Sequence, residues 1–123
     1  MKASGYFEIN LVPQTEDSSA AGRMLIDKNY TGDMIGTGLG QMLSKRTDSG
    51  QSVYSAIEEF EGSVNGKIGS FTLFHVGKMS ANRQSLEINI VSGSGAAELT
   101  GIEGQLTITQ EQGSHQYLLE YTL

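Results

Sequence analysis

Two adjacent residues, Asn65 and Gly66, constrain this chain more than any others. Asn-Gly between long alternating segments is the strongest short-range signal for a two-residue type I′ turn. Both residues tolerate φ > 0, and the turn's twist matches that of its strands. Such a turn pairs Val64 with Lys67 and fixes Phe60 opposite Phe71, Glu58 opposite Leu73 and Ala56 opposite His75. One face of the ribbon Ser52 to Lys78 then carries Tyr54, Ala56, Glu58, Phe60, Phe71, Leu73 and His75. The other carries Ser55, Glu59, Glu61, Ser63, Ser70 and Thr72. The first face reads as core and the second as solvated. Glu58 and His75 are diagonal neighbours on the dry side, the one place where the sequence points to chemistry.

The rest of the chain repeats the pattern. Lys2 to Val12 alternates Phe7, Ile9 and Leu11 against Tyr6, Glu8 and Asn10, the period of a strand. Pro13 to Ala21 is a polar loop, and Gly22 to Thr31 a second strand. A two-residue turn at Gly32-Asp33 leads into a third strand, Met34 to Lys45. That turn sets Asp27 opposite Gly38, Leu25 opposite Gly40 and Lys28 opposite Thr37. Gly36, Gly38 and Gly40 recur at the period of one strand face. They mark a bend or a bulky crossing neighbour, since a phosphate loop needs a strand-to-helix junction and other spacing.

After the Asn65-Gly66 hairpin and a connection at Ser80 to Arg83, Gln84 to Ser92 is a sixth strand. Gly93 to Gly101 is the one stretch suited to a helical turn, with Ser94 as its cap. A turn at Gly113-Ser114 makes a last hairpin, pairing Leu106 with Tyr121 and Ile108 with Leu119. Sixteen glycines against one proline suit many turns and unbroken ladders. The expected fold is all-β: a single domain over residues 1–123, an eight-stranded antiparallel closed barrel. Closure removes edges, and a barrel of this size is filled by side chains or holds one small ligand.

Composition narrows the partners. A formal charge of −6 with no basic run argues against nucleic acid. No apolar run has the length of a membrane span, and Met1 to Gly5 lacks a signal-peptide core, so the expected location is cytoplasmic. There is no cysteine, and His75 and His115 lie on different hairpins without clustered ligands, so neither a metal nor another cofactor is expected.

Four strings together carry a resemblance: Lys2 to Phe7, Gly36 to Leu43, Gly69 to Gly77, and the tail from Gly101 through His115 and Tyr117 to Leu123. With them the chain resembles, over nearly its whole length, a bacterial family of uncharacterised small proteins similar in fold to allene oxide cyclase. The resemblance implies an eight-stranded antiparallel barrel, lipocalin-like in shape. It implies no reaction, because none of the cyclase's catalytic residues maps onto this sequence.

Glu58 and His75 are the candidate catalytic residues, able to act as acid and base for an isomerisation or to serve only as a hydrogen-bonded polar layer. Tyr54, Phe60, Phe71, Leu73, Tyr117 and Tyr121 are the candidate ligand contacts. Lys28 shares a face with Met24, Ile26 and Tyr30 and would meet an anionic ligand if that face is internal. Three readings stay open: a barrel binding an apolar or amphipathic small molecule, an isomerase or cyclase using Glu58 and His75, and a packed module without a ligand. Outward Val53, Ile57, Phe74 and Val76 form an apolar patch, from which a homo-oligomer, a dimer first, is expected.

Overall fold

A computed structural model describes residues 1–14 and 21–123 of the chain, so most of the polar loop expected after Pro13 lies outside the described residues. Nine strands are described: β1 Lys2–Pro13, β2 Gly22–Gly32, β3 Met34–Arg46, β4 Ser52–Val64, β5 Lys67–Met79, β6 Gln84–Ile90, the two-residue β7 Ala96–Ala97, β8 Glu103–Glu111 and β9 Ser114–Thr122. No helix occurs among the described residues. The eight long strands run in the order β4-β3-β2-β1-β9-β8-β6-β5, and β5 pairs with β4 to close an antiparallel barrel. Every long strand therefore has a neighbour on each side, and the edge problem of an open sheet does not arise.

Closure rests on the hairpin that the sequence marks most clearly. Asn65 and Gly66 sit at φ 48° and 85°, as a type I′ turn requires. The register runs unbroken from Val64–Lys67 through Phe60–Phe71, Glu58–Leu73 and Ala56–His75 to Ser52–Met79. The Asn65 side chain also ties the turn to its surroundings, donating to the Tyr121 hydroxyl (2.7 Å) and the Lys2 carbonyl (3.1 Å).

Two other hairpins depart from the simplest reading of their turns. Strands β2 and β3 pair Lys28 with Gly38, Ile26 with Gly40 and Asp27 with Leu39, one residue away from the register of a two-residue Gly32-Asp33 turn. Gly32, at φ 99°, continues β2 and pairs with Gly5 of β1. Asp33 is held by Ser4, whose amide donates to its carboxylate and whose carbonyl accepts its amide, both at 3.0 Å. The register is thus offset by one residue from that of a two-residue turn. A shift of one exchanges faces, and it brings Gly36, Gly38 and Gly40 to the inner side with Lys28.

In the last hairpin the turn is Gln112-Gly113, at φ 49° and 82°, not Gly113-Ser114. Leu106 consequently pairs with Leu119 and Ile108 with Tyr117. This shift is by two, so the same side chains still point inward. The Gly93 to Gly101 stretch forms turns and the short β7 ladder to Gly69 and Ser70, not a helical turn. Ser94 caps no helix; its hydroxyl accepts the Thr72 amide (3.0 Å) and donates to the Val91 carbonyl (2.6 Å).

The interior divides into two halves. Toward the end where β4 turns into β5, Met34, Phe60, Val64, Phe71, Leu73, Leu99, Ile102 and Leu119 are sealed from solvent, each 0–1% exposed. Burial of such side chains contributes roughly 1.5–3 kcal/mol apiece. The segment carrying Leu99 and Ile102 lies over this end, anchored by Glu98, whose amide and carboxylate bond the Ile68 carbonyl and amide. At the opposite end, where β3 passes to β4 and β5 to β6, inward positions such as Met24, Met42, Ser44 and Tyr54 are only half-buried.

Candidate functional site

Between the sealed half and the open half lies a layer of charge. Lys28 on β2, Glu58 on β4 and His75 on β5 are buried at 2%, 0% and 3% exposure, deep enough that none could stay there unpaired. The Glu58 carboxylate joins them. Its Oε1 accepts from Lys28 Nζ and from His75 Nε2, each at 2.9 Å, and its Oε2 accepts from the Tyr30 hydroxyl at 2.5 Å.

The third strand makes room for this arrangement. A Cβ on Gly38 would lie 2.0 Å from Glu58 Oε2 and 2.9 Å from the Tyr30 ring. No side chain could occupy that position without displacing the carboxylate. Gly38 thus leaves the space in which the β2 and β4 side chains meet across β3, while Gly36 and Gly40 lie against the β4 backbone.

Burial alone would raise the Glu58 pKa, but the hydrogen bond from His75, the charge of Lys28 and the Tyr30 hydroxyl outweigh it, and the carboxyl is held down to about 2. Glu58 is accordingly ionised at neutral pH. The same negative charge, added to burial, pushes Tyr30 well above the ordinary phenol range and Tyr54 up to about 12. Both phenols remain protonated donors. Because an ionised carboxylate has no proton to give, His75 must carry one on Nε2.

That leaves the other imidazole nitrogen, Nδ1, without a protein partner. No fully buried side-chain nitrogen or oxygen lacks a hydrogen bond among the described residues, so Nδ1 retains a small contact with solvent. Lys28 makes one hydrogen bond, to Glu58, and its ammonium otherwise lies over Phe7, 4.8 Å from the ring centre. The layer therefore combines a neutralised charge pair with donor and acceptor capacity that the protein does not consume.

Beyond His75 lies Tyr54, its ring 6.3 Å from the imidazole and laid across Gly77, where a Cβ would come within 2.1 Å of it. Tyr54 also lines a hollow of about 260 Å³ at the open end, with Met42, Ser44, Gly77 and Met79 around it. This is slightly below the usual size of a small-molecule site, about 300 Å³ and upward.

The model for the family described as "Protein of unknown function (DUF3224)" matches residues 3–121. The chain belongs to the DUF3224 family. It is similar to the crystal structure of a DUF3224 protein of unknown function from Shewanella oneidensis MR-1. The two share 35% identity at a TM-score of 0.93, over 99% of this chain and 96% of that one. No curated protein matches. The barrel and the family stand on these matches, which bring no reaction with them. No helix among the described residues of this DUF3224 chain is long and apolar enough to cross a membrane.

Within the DUF3224 barrel the expected site residues fall into two groups. Glu58, His75 and Tyr54 follow one another toward the open end, the first two joined by a hydrogen bond and the last two with rings 6.3 Å apart. Phe60, Phe71, Leu73, Tyr117 and Tyr121 lie on the sealed side, in one buried cluster that also holds Tyr30. The Phe60 and Phe71 rings are 5.0 Å apart, and Tyr30 stands edge-on to Phe60 and Tyr117 at 5.4 Å each. The Tyr117 hydroxyl is taken up by the backbone, accepting the Met34 amide and donating to the Thr31 carbonyl, both at 2.8 Å. Lys28 is internal, as it would need to be to meet an anion. Tyr30 is the member that sequence reasoning missed. Its signal was the shared face with Lys28, opposite a column of glycines too small to fill the space.

Proposed function

We propose that the protein binds a small amphipathic molecule at the open end of the barrel. Its apolar body lies against Met42 and Tyr54 and its oxygen-bearing end faces His75. The observation that carries this reading is the imidazole of His75: buried, held by a carboxylate at Nε2, and unpartnered at Nδ1. With no protein partner, that nitrogen is open to solvent or to a bound molecule. The half-buried inward side chains and the hollow beside Tyr54 supply the apolar contact that a ligand needs.

The same geometry favours a second reading. A carboxylate that orients one imidazole nitrogen and leaves the other free is the arrangement of a general base. Proton transfer on a bound carbonyl compound, an isomerisation, is the chemistry it would serve. Native mass spectrometry of the protein from its host, searching for a co-purifying molecule of a few hundred daltons, tests the binding reading. Loss of that molecule in His75→Gln, with the fold retained by circular dichroism, supports it. Retention of the molecule with only a lowered Tm makes the layer structural. A pH–rate profile governed by one group, abolished in His75→Gln, would raise binding to catalysis.

A further inference from the structure

The outer face of β2 to β5 bears an apolar band bordered by charges of opposite sign, an arrangement unlike the scattered exposed residues of an ordinary surface. The pairing sets Leu25, Gln41, Ile57 and Phe74 in one row, flanked by Leu43 on one side and Leu39 on the other. Ile57 is 56% exposed, Leu39 54%, Leu43 51% and Phe74 43%. Together they line an external hollow of about 550 Å³. Contiguous apolar surface of this kind marks a contact site, whereas single exposed residues do not.

The charges say what the contact is with. Toward the open end of the barrel the band is bounded by Arg23, Lys45 and Lys78; toward the sealed end by Asp27, Glu59 and Glu61. Turned by half a rotation about an axis through Ile57, the face presents its basic border to its own acidic border. The surface is thus self-complementary, as a two-fold interface demands. Within one chain Arg23 and Glu59 are not partners of each other: Arg23 bonds Gln41 at 3.4 Å, and Glu59 accepts from the Thr72 hydroxyl at 2.9 Å. A closed barrel offers no free strand edge, so association has to use a face.

We propose that a second copy of this chain docks on this face about a two-fold axis near Ile57, with Arg23 of each copy opposite Glu59 of the other. Sedimentation equilibrium and light scattering at micromolar concentration test it. The expected result is twice the chain mass for the wild type and a single chain mass for Ile57→Glu, whose thermal melt reports that the barrel is intact. Arg23→Glu weakens association by about tenfold or more, as expected for like charges brought together at a contact. Adding Glu59→Arg to that same chain restores it. A wild type that stays monomeric overturns the proposal, as does an assembly indifferent to Ile57→Glu. A double reversal that fails to restore association overturns the two-fold pairing.

Discussion

Glu58 owes its ionised state inside a barrel to three donors acting together, and the balance has a measurable consequence. Two buried charges are costly to remove from water, and their attraction offsets that cost only when the remaining lone pairs are satisfied. Here both carboxylate oxygens are satisfied, and the pKa falls from an ordinary 4.5 to about 2. A carboxyl whose folded pKa lies below its unfolded value stabilises the fold fully above the unfolded value. That contribution drains away as pH falls toward the folded one. The stabilising contribution of Glu58 is therefore present at pH 7 and is lost between about pH 4.5 and 2. The shift corresponds to roughly 3 kcal/mol. Urea unfolding at pH 7 and pH 3 should show a loss in the wild type that is reduced in Glu58→Gln. The variant should already be weaker at pH 7 by about 3 kcal/mol or more, since Lys28 is left buried without its counter-charge. Equal acid losses in the two proteins would mean that the carboxylate contributes nothing of this kind.

Among the elements, β3 has the most specific role, and its glycines make the case. An alanine at Gly38 drives a methyl group into the Glu58 carboxylate and the edge of Tyr30. Over-packing of this kind costs about 1–3 kcal/mol. Gly38→Ala should lower the unfolding free energy by that order. In a Glu58→Ala background most of the penalty should disappear, because the clash partner is gone; the double-mutant cycle measures the coupling. Additive effects would place the strain elsewhere. The same strand explains which parts of the fold were legible in sequence. Asn65-Gly66 leaves one reading of its turn, and from it the register of β4 and β5, the inward Glu58 and the inward His75 all follow. Gly32-Asp33 leaves two, because a glycine able to take φ > 0 can also continue its strand. The bend formed depends on Ser4 of β1, a contact remote in sequence. That one-residue difference hides from the sequence the meeting of Gly38, Lys28 and Tyr30 with Glu58. The Gln112-Gly113 turn puts a glutamine at φ > 0, which sequence preference argues against, yet the even shift left the inward faces unaltered.

At the scale of the whole molecule, the barrel is asymmetric along its axis. One end is filled by aromatic and aliphatic side chains and covered by the Leu99–Ile102 segment; the other keeps half-buried residues around Tyr54, and the charged layer lies between. Such a division predicts an uneven stability map. Amides of Phe60, Phe71 and Leu119 should exchange with solvent only through global unfolding, whereas those at the strand ends near Ser44, Ser52 and Met79 should exchange through local fraying. Ligand binding then has a signature that requires no knowledge of the reaction. A molecule entering from the open end should slow exchange near Met42, Tyr54 and Gly77. At the sealed end it should change rates only by the amount that global stability rises. Hydrogen exchange followed by mass spectrometry, with and without the co-purifying molecule, separates the cases. Protection confined to the sealed end, around Met34 and Tyr121, would require a ligand to displace the aromatic core. The open end would then lose its claim as the entrance, and the free nitrogen of His75 its claim to meet what enters.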